Sequence, residues 1–205
     1  MLGSVTAPEF QPLLHYWFGE LTHGLADADH RKRWFSGGAE FDAELSDRFA
    51  HLVEGALRGD LDDWHHSTRG CLAYVLVCDQ LTRNIFRGKR HAYAGDARAL
   101  DTACDAVARG VDVDLALDER AFLYMPFEHS ENLADQNTCV GLFSELSEQI
   151  GKIRPDMAEG FLNYAVGHRE IIRRYGRFPH RNAVLGRQST DDEQRYLATA
   201  SGFGQ

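Results

Sequence analysis

Thr68-Arg69-Gly70-Cys71-Leu72-Ala73-Tyr74-Val75-Leu76-Val77-Cys78-Asp79-Gln80-Leu81-Thr82-Arg83-Asn84-Ile85-Phe86 is the stretch that decides the fold. Leu72, Val75, Leu76 and Leu81 recur at helical spacing, which predicts one long helix stopping at Gly88. Asp79 falls three and four residues after Val75 and Leu76, on the same apolar face. Arg83 follows at i+4 and can pair with it along that face. A carboxylate in a core stripe is costly unless it is paired. Two readings stand side by side: an ion pair that locks helices, or an Asp79 that orients Arg83 toward a ligand.

The helical period continues in both directions. Pro8 opens an amphipathic segment that reaches Gly19, and Ser36-Gly37-Gly38 is a break. Phe41, Leu45, Phe49, Leu52, Val53 and Ala56 mark a helix ending at Gly59, and Asp60 can cap a short turn carrying Trp64. Ala92 to Arg109 ends at Gly110, a normal glycine stop. Asp118 caps a short helix to Met125-Pro126, and Ser130 caps the next, reaching Ile150-Gly151. Pro155 opens one that ends at Gly176. Thr190-Asp191-Asp192-Glu193 is a capping box for a last helix. No alternating strand pattern and no strict repeat appears. The expectation is an all-α, single domain over residues 1–205, with short connectors favouring antiparallel hairpins.

Composition bounds the function. The chain has 205 residues, 43% of them hydrophobic, and a net charge of −9, enough for one core. An acidic chain lacks the basic footprint of a nucleic-acid binder and is repelled by anionic membranes. There is no run of about 18 apolar residues and no signal peptide, so a cytoplasmic location is expected. Cys71, Cys78, Cys104 and Cys139 form no C-x-x-C pair and read as reduced, buried small hydrophobes. The only Glu-x-x-His is Glu20-Leu21-Thr22-His23, no H-E-x-x-H occurs, and His65-His66 cannot chelate from one helix face. No metal and no cofactor is expected. Nucleotide loops and nucleophile elbows are also missing.

From Ile171 to Thr190 this acidic protein has no Asp or Glu, but it has Arg173, Arg174, Arg177, His180, Arg181 and Arg187. Guanidinium groups form forked hydrogen bonds to carboxylates and phosphates. Helix C-termini could also absorb some of these cations. Further polar residues fall on apolar helix faces: His129 and Gln136 around the segment Glu128-His129-Ser130-Glu131, and His168 on the stripe of Phe161, Leu162, Ala165 and Ile172. Several such residues on different helices point to a polar pocket. The loop from Gly176 to Arg187 is expected to pack on the ends of the Thr68–Gly88 and Glu128–Ile150 helices as one anion site.

The strings Asp79-Gln80-Leu81-Thr82-Arg83-Asn84-Ile85-Phe86-Arg87-Gly88, Phe122-Leu123-Tyr124-Met125-Pro126-Phe127-Glu128-His129-Ser130-Glu131, Gly176-Arg177-Phe178-Pro179-His180-Arg181-Asn182 and Leu185-Gly186-Arg187-Gln188-Ser189-Thr190 resemble the bacterial domain-of-unknown-function family 924. Tyr16-Trp17-Phe18-Gly19 and Arg33-Trp34-Phe35 extend the likeness over Leu13 to Leu197. The resemblance implies an all-helical fold similar to tetratricopeptide arrays and no established activity. The family pattern has Phe-Pro where this chain has Leu81-Thr82, which predicts a slightly altered helix end.

Two functions are open. One is a pocket that binds a small anionic metabolite, with or without catalysis: Arg83, Arg87, Arg177, Arg181 and Arg187 hold the anion, His129 or His180 acts as acid–base, and Asp79, Glu128 and Glu131 orient them. Asn84, Gln136, His168 and Asn182 complete that set. The other is an interaction module whose helical array takes an acidic peptide or protein.

Overall fold

The computed structural model describes residues 9–35 and 38–199. The expected helix start at Pro8 and the break at Ser36-Gly37 lie outside them. Within the described residues the chain is all-α: α1 Gln11–Phe18, α2 Ala28–Phe35, α3 Ala39–Arg58, α4 Thr68–Val75, α5 Thr82–Ile85, α6 Asp96–Ala108, α7 Leu117–His129, α8 Leu133–Gly151, α9 Gly160–Tyr175, α10 Asn182–Leu185 and α11 Asp191–Leu197. The only pairing of β type among them is the single bridge Thr22–Leu25. Among the described residues no helix is long and apolar enough to cross a membrane.

Helices close in chain order pack together: α4 on α6, across the short α5, then α6 on α7, α7 on α8, and α8 on α9. Their shared core is fed by Leu72, Val75, Leu76 and Leu81, all fully buried. The aromatic motifs near the N-terminus close one end. Phe122 of α7 meets Trp17, Phe18 and Trp34 with ring centroids at 5.5, 5.5 and 4.7 Å, and Trp34 Nε1 donates to the Trp17 carbonyl. Ile171, Ile172 and Phe178, with Tyr175 and Tyr196, form a small separate cluster at the C-terminal end.

Several boundaries differ from the sequence reading. The expected helix from Thr68 to Phe86 is interrupted by a π-helical turn, Leu76–Leu81, between α4 and α5. Thr82 is not at a helix end but fully buried at the exit of that turn, where its hydroxyl donates to the carbonyls of Cys78 and Asp79. Helix α7 does not stop at Pro126; it continues to His129 because Phe127 and Glu128 are buried in the next turn. Glu128 and His129 therefore end a helix instead of starting one. The α8 cap is Asn132, whose side chain accepts from Ala134 N, while Ser130 bonds Asp135. Ala116, not Asp118, precedes α7; Asp118 instead accepts from Ala26 N and from Arg31. Asp60 caps nothing and accepts from Arg58. Helix α6 starts at Asp96 after a 3-10 turn, Arg90–Tyr93, and α9 starts at Gly160 after the turn Pro155–Met157. Cys71, Cys78 and Cys139 are buried, but Cys104 faces outward from α6.

Candidate active site

The π turn places the first functional side chain. A π turn carries an extra residue, and such bulges recur at functional sites. Here it puts Asp79 wholly inside the protein. Asp79 Oδ2 accepts from Gln80 Nε2 at 2.6 Å, and Oδ1 from Arg83 Nη2 at 3.2 Å. The same Oδ1 lies 2.7 Å from His129 Nδ1, at the end of α7. Burial alone would raise the Asp79 pKa, but His129 and Arg83 hold it well below the ordinary carboxylate range. Burial and the Arg83 charge push His129 below its usual value. The imidazole is then neutral at pH 7, and its ionised neighbour assigns the proton to Nδ1. Nε2 is left as the basic nitrogen.

Arg83 also donates to Asp96 Oδ1 at 3.0 Å, and its guanidinium lies 5.3 Å from the Tyr93 ring centre. Its Nε and Nη1 are buried without a hydrogen-bond partner. On the opposite side, the 3-10 turn Pro179–Arg181 brings in Arg181, only 4% exposed. Arg181 Nη1 donates to the His129 carbonyl at 2.9 Å and stands 3.7 Å from Asp96 Oδ2. Its guanidinium covers Phe178 at 4.3 Å and Tyr93 at 5.0 Å, and its Nε has no partner. Burial and Arg83 lower its pKa to about 10, so it stays charged at neutral pH.

These groups surround a cleft of about 250 Å³. Asp79, Tyr93, Asp96, His129, Ser130, Glu131 and Arg181 line its polar side; Ala97, Leu100, Pro126 and Leu185 line the rest. The C-terminal loop is pinned there by Glu131, which accepts from Arg187 Nη1 at 2.6 Å, Arg187 Nη2 at 2.9 Å and the Phe178 amide at 2.8 Å. Burial would raise the Glu131 pKa, but the Arg187 hydrogen bonds lower it.

Behind His129 lies an uncharged pair. Glu128 Oε1 is 3.2 Å from His168 Nδ1, and the two imidazoles of His129 and His168 are 6.4 Å apart. Burial, then the nearby Asp79 charge, push Glu128 up to about 8. Burial pushes His168 down to about 3. His168 Nδ1 also approaches the Tyr164 carbonyl at 2.9 Å.

Of the residues singled out from sequence, the structure gathers Asp79, Arg83, Glu128, His129, Glu131, His168, Arg181 and Arg187 in this region. The others go elsewhere. Arg177 binds Glu193 through Nε at 2.6 Å and Nη2 at 2.8 Å, because the α11 capping box holds that carboxylate next to the loop. Arg87 pairs with Asp42 and with Asn84, whose own amide bonds the Gln80 carbonyl. Asn182 reaches Ser189 and Glu193. Gln136 is buried, but its amide donates to the carbonyls of Phe127, Glu128 and Ser130, closing the end of α7. His180 packs on Phe178 at 5.4 Å, outside the cleft lining, and burial lowers it to about 4. Sequence reasoning missed Asp96 and Tyr93. Asp96 looks like an ordinary first-turn acid, and nothing local in the sequence reports its partner 13 residues away. Among the described residues no group of three or more His, Cys, Asp and Glu side chains is placed to hold a metal ion.

The comparisons agree with this fold. No curated protein matches the chain. A solved structure from Agrobacterium tumefaciens, described as the protein of unknown function ATU0120, is similar with a TM-score of 0.72 and 38% identity, covering 82% of this chain and 90% of its own. The model of the family described as "Bacterial protein of unknown function (DUF924)" matches residues 13–201, and the chain belongs to that family.

Proposed function

We propose that the cleft binds a small metabolite through an anionic group and that His129 transfers a proton on it. One observation carries this reading: a buried guanidinium with a partnerless Nε, from Arg181, shares a wall with a histidine held by a buried aspartate. Guanidinium forks are suited to carboxylate and phosphate. A neutral imidazole oriented through Nδ1 offers Nε2 for acid–base work near neutral pH. Asp79 fixes the tautomer and stabilises the imidazolium when it forms, as buried carboxylates do for catalytic histidines. Glu131 and Arg187 hold the loop that carries Arg181. The other reading, a tetratricopeptide-like module for an acidic peptide, fits less well, since about 250 Å³ suits a metabolite of few atoms.

A thermal-melt panel of small carboxylates and phosphates against chloride at matched ionic strength tests the reading. At least one compound is expected to raise the melting temperature saturably, by mass action on the folded state. Arg181→Met should abolish that rise while the protein still melts cooperatively. If no compound shifts the melt, or the shift survives Arg181→Met, the reading is wrong.

A further inference from the structure

The charge balance of the cleft narrows the ligand class, resting on the reading of the cleft as an anion site. Six charged groups form its ion-pair network: four line the cleft, and Arg83 and Arg187 pair with the lining carboxylates from outside it. Asp79, Asp96 and Glu131 are negative; Arg83, Arg181 and Arg187 are positive. They sum to zero. His129 and Glu128 add nothing at neutral pH, because burial opposes the charged form of each; burial raises Asp96 as well, but there the Arg83 charge favours the carboxylate. In a poorly hydrated site an uncompensated charge is expensive. A bare anion bound to Arg181 would leave the cleft one charge negative, and a bare cation would leave it one positive. A molecule carrying one charge of each sign leaves the balance unchanged.

Each sign has an incompletely paired group. Arg181 Nε is a buried donor with no partner. Asp96 Oδ1 is taken by Arg83, but the nearest Arg181 nitrogen to Oδ2 stands at 3.7 Å, outside hydrogen-bond range. The Asp96 side chain is 28% exposed, so this oxygen's carboxylate is open on the cleft side. Positive and negative sites thus stand next to each other on one wall. The same lining includes Ala97, Leu100, Pro126 and Leu185, an apolar surface for a hydrocarbon group.

We propose that the ligand is a small aliphatic amino acid or a close analogue, its carboxylate on Arg181, its ammonium on Asp96 and its side chain against Leu100 and Leu185. An ammonium donates to carboxylate as a compact charge with three N–H groups, and the guanidinium reads the flat carboxylate.

Three probes of matched shape separate the contributions: L-leucine, 4-methylpentanoate, which lacks the ammonium, and 3-methylbutylamine, which lacks the carboxylate. Titration calorimetry and thermal melts of the intact protein are expected to rank L-leucine first. Each single-charge analogue should bind about tenfold weaker or worse, the effect of losing one charge-assisted hydrogen bond. Asp96→Asn keeps an acceptor for Arg83 and should narrow the preference for L-leucine over 4-methylpentanoate, with helical content unchanged. Should Asp96→Asn fail to fold, the ranking of the three probes on the wild-type protein still decides. If 4-methylpentanoate binds as well as L-leucine, in an Arg181-dependent way, the zwitterion is ruled out and the anion site stands. If neither binds and no other carboxylate or phosphate does, both ideas fall.

Discussion

Two carboxyl groups within one site hold opposite states, and their surroundings explain why. Asp79 receives hydrogen bonds from Gln80 and Arg83 and faces His129, so burial does not neutralise it. Glu128 is also buried but has the uncharged His168 as its contact, and burial, then the Asp79 charge, outweigh the Arg83 charge and raise it to about 8. Environment alone separates such pairs. The sign of the linkage follows. The unfolded chain releases the Glu128 proton near 4.5, the folded chain near 8. Between those values the unfolded state binds fewer protons, so stability falls as pH rises, and the loss is complete above about 8. Glu128→Gln lacks this slope. Urea melts are expected to show the variant gaining on wild type from pH 5 to pH 8, by a few kcal/mol on the order set by the shift. Parallel curves would show that Glu128 is ionised throughout. His168 contributes an opposite slope at lower pH: lowered from 6.5 to about 3, it costs stability as pH falls through that window in both proteins.

At the level of elements, the joint between the π turn and α6 sets the site. Gly95 stands so close that a β-carbon there would lie 2.1 Å from the Cys78 carbonyl oxygen. That contact lets Asp96, the next residue, reach Arg83. Gly95→Ala is expected to force the two segments apart, cost about 1–3 kcal/mol or more in denaturant melts, and weaken ligand binding together with stability. Gly141→Ala, on the exposed middle of α8 with nothing within 4 Å of the new methyl, should instead gain roughly 0.5–1 kcal/mol. A Gly95→Ala protein as stable as wild type would refute the joint. The elements themselves were largely legible. Gly59, Gly110 and Gly176 end helices in left-handed conformations, and the Thr190–Glu193 capping box forms as read. The misread end of α7 has a cause outside that helix. Pro126 signals a stop, yet Gln136 supplies donors that let α7 run on to His129. The π turn leaves no mark in the apolar spacing, because Leu76, Val77, Cys78 and Leu81 are buried all round.

Over the whole molecule, four arginines in the last quarter of the chain divide between two tasks. Arg181 and Arg187 serve the cleft, while Arg177 and Arg174 fasten α11 through Glu193 and Asp192. Glu193 is held at about 2, first by the Arg177 hydrogen bonds. A lowered acid stabilises above its unfolded value near 4.5 and loses that contribution as pH falls toward 2. Protection from hydrogen exchange, relative to the unstructured chain at the same pH, should therefore fall in 177–197 on acidification through that window, and already at pH 7 in Glu193→Gln, while 68–81 stays protected. Uniform protection in the variant would mean that α11 is held by packing alone. The sequence revealed the Asp79–Arg83 pair through its i+4 spacing, and the acid-free loop through composition. It did not sort the arginines of the cleft, since their partners are far away: Arg187 meets Glu131 across 56 positions and Arg181 meets the His129 carbonyl across 52, while His129 itself meets Asp79 across 50. Those separations also order the events of synthesis. At about 5–20 residues per second, a ribosome releases Asp79, Arg83 and Asp96 several seconds before Arg181 exists. Through that interval the nascent helices must keep their charges in water, and the final segment drives the water out when it docks. A message truncated ahead of the last arginines would still yield a helical product, but one with its ionic centre flooded, and quality-control proteases would meet it as an open end.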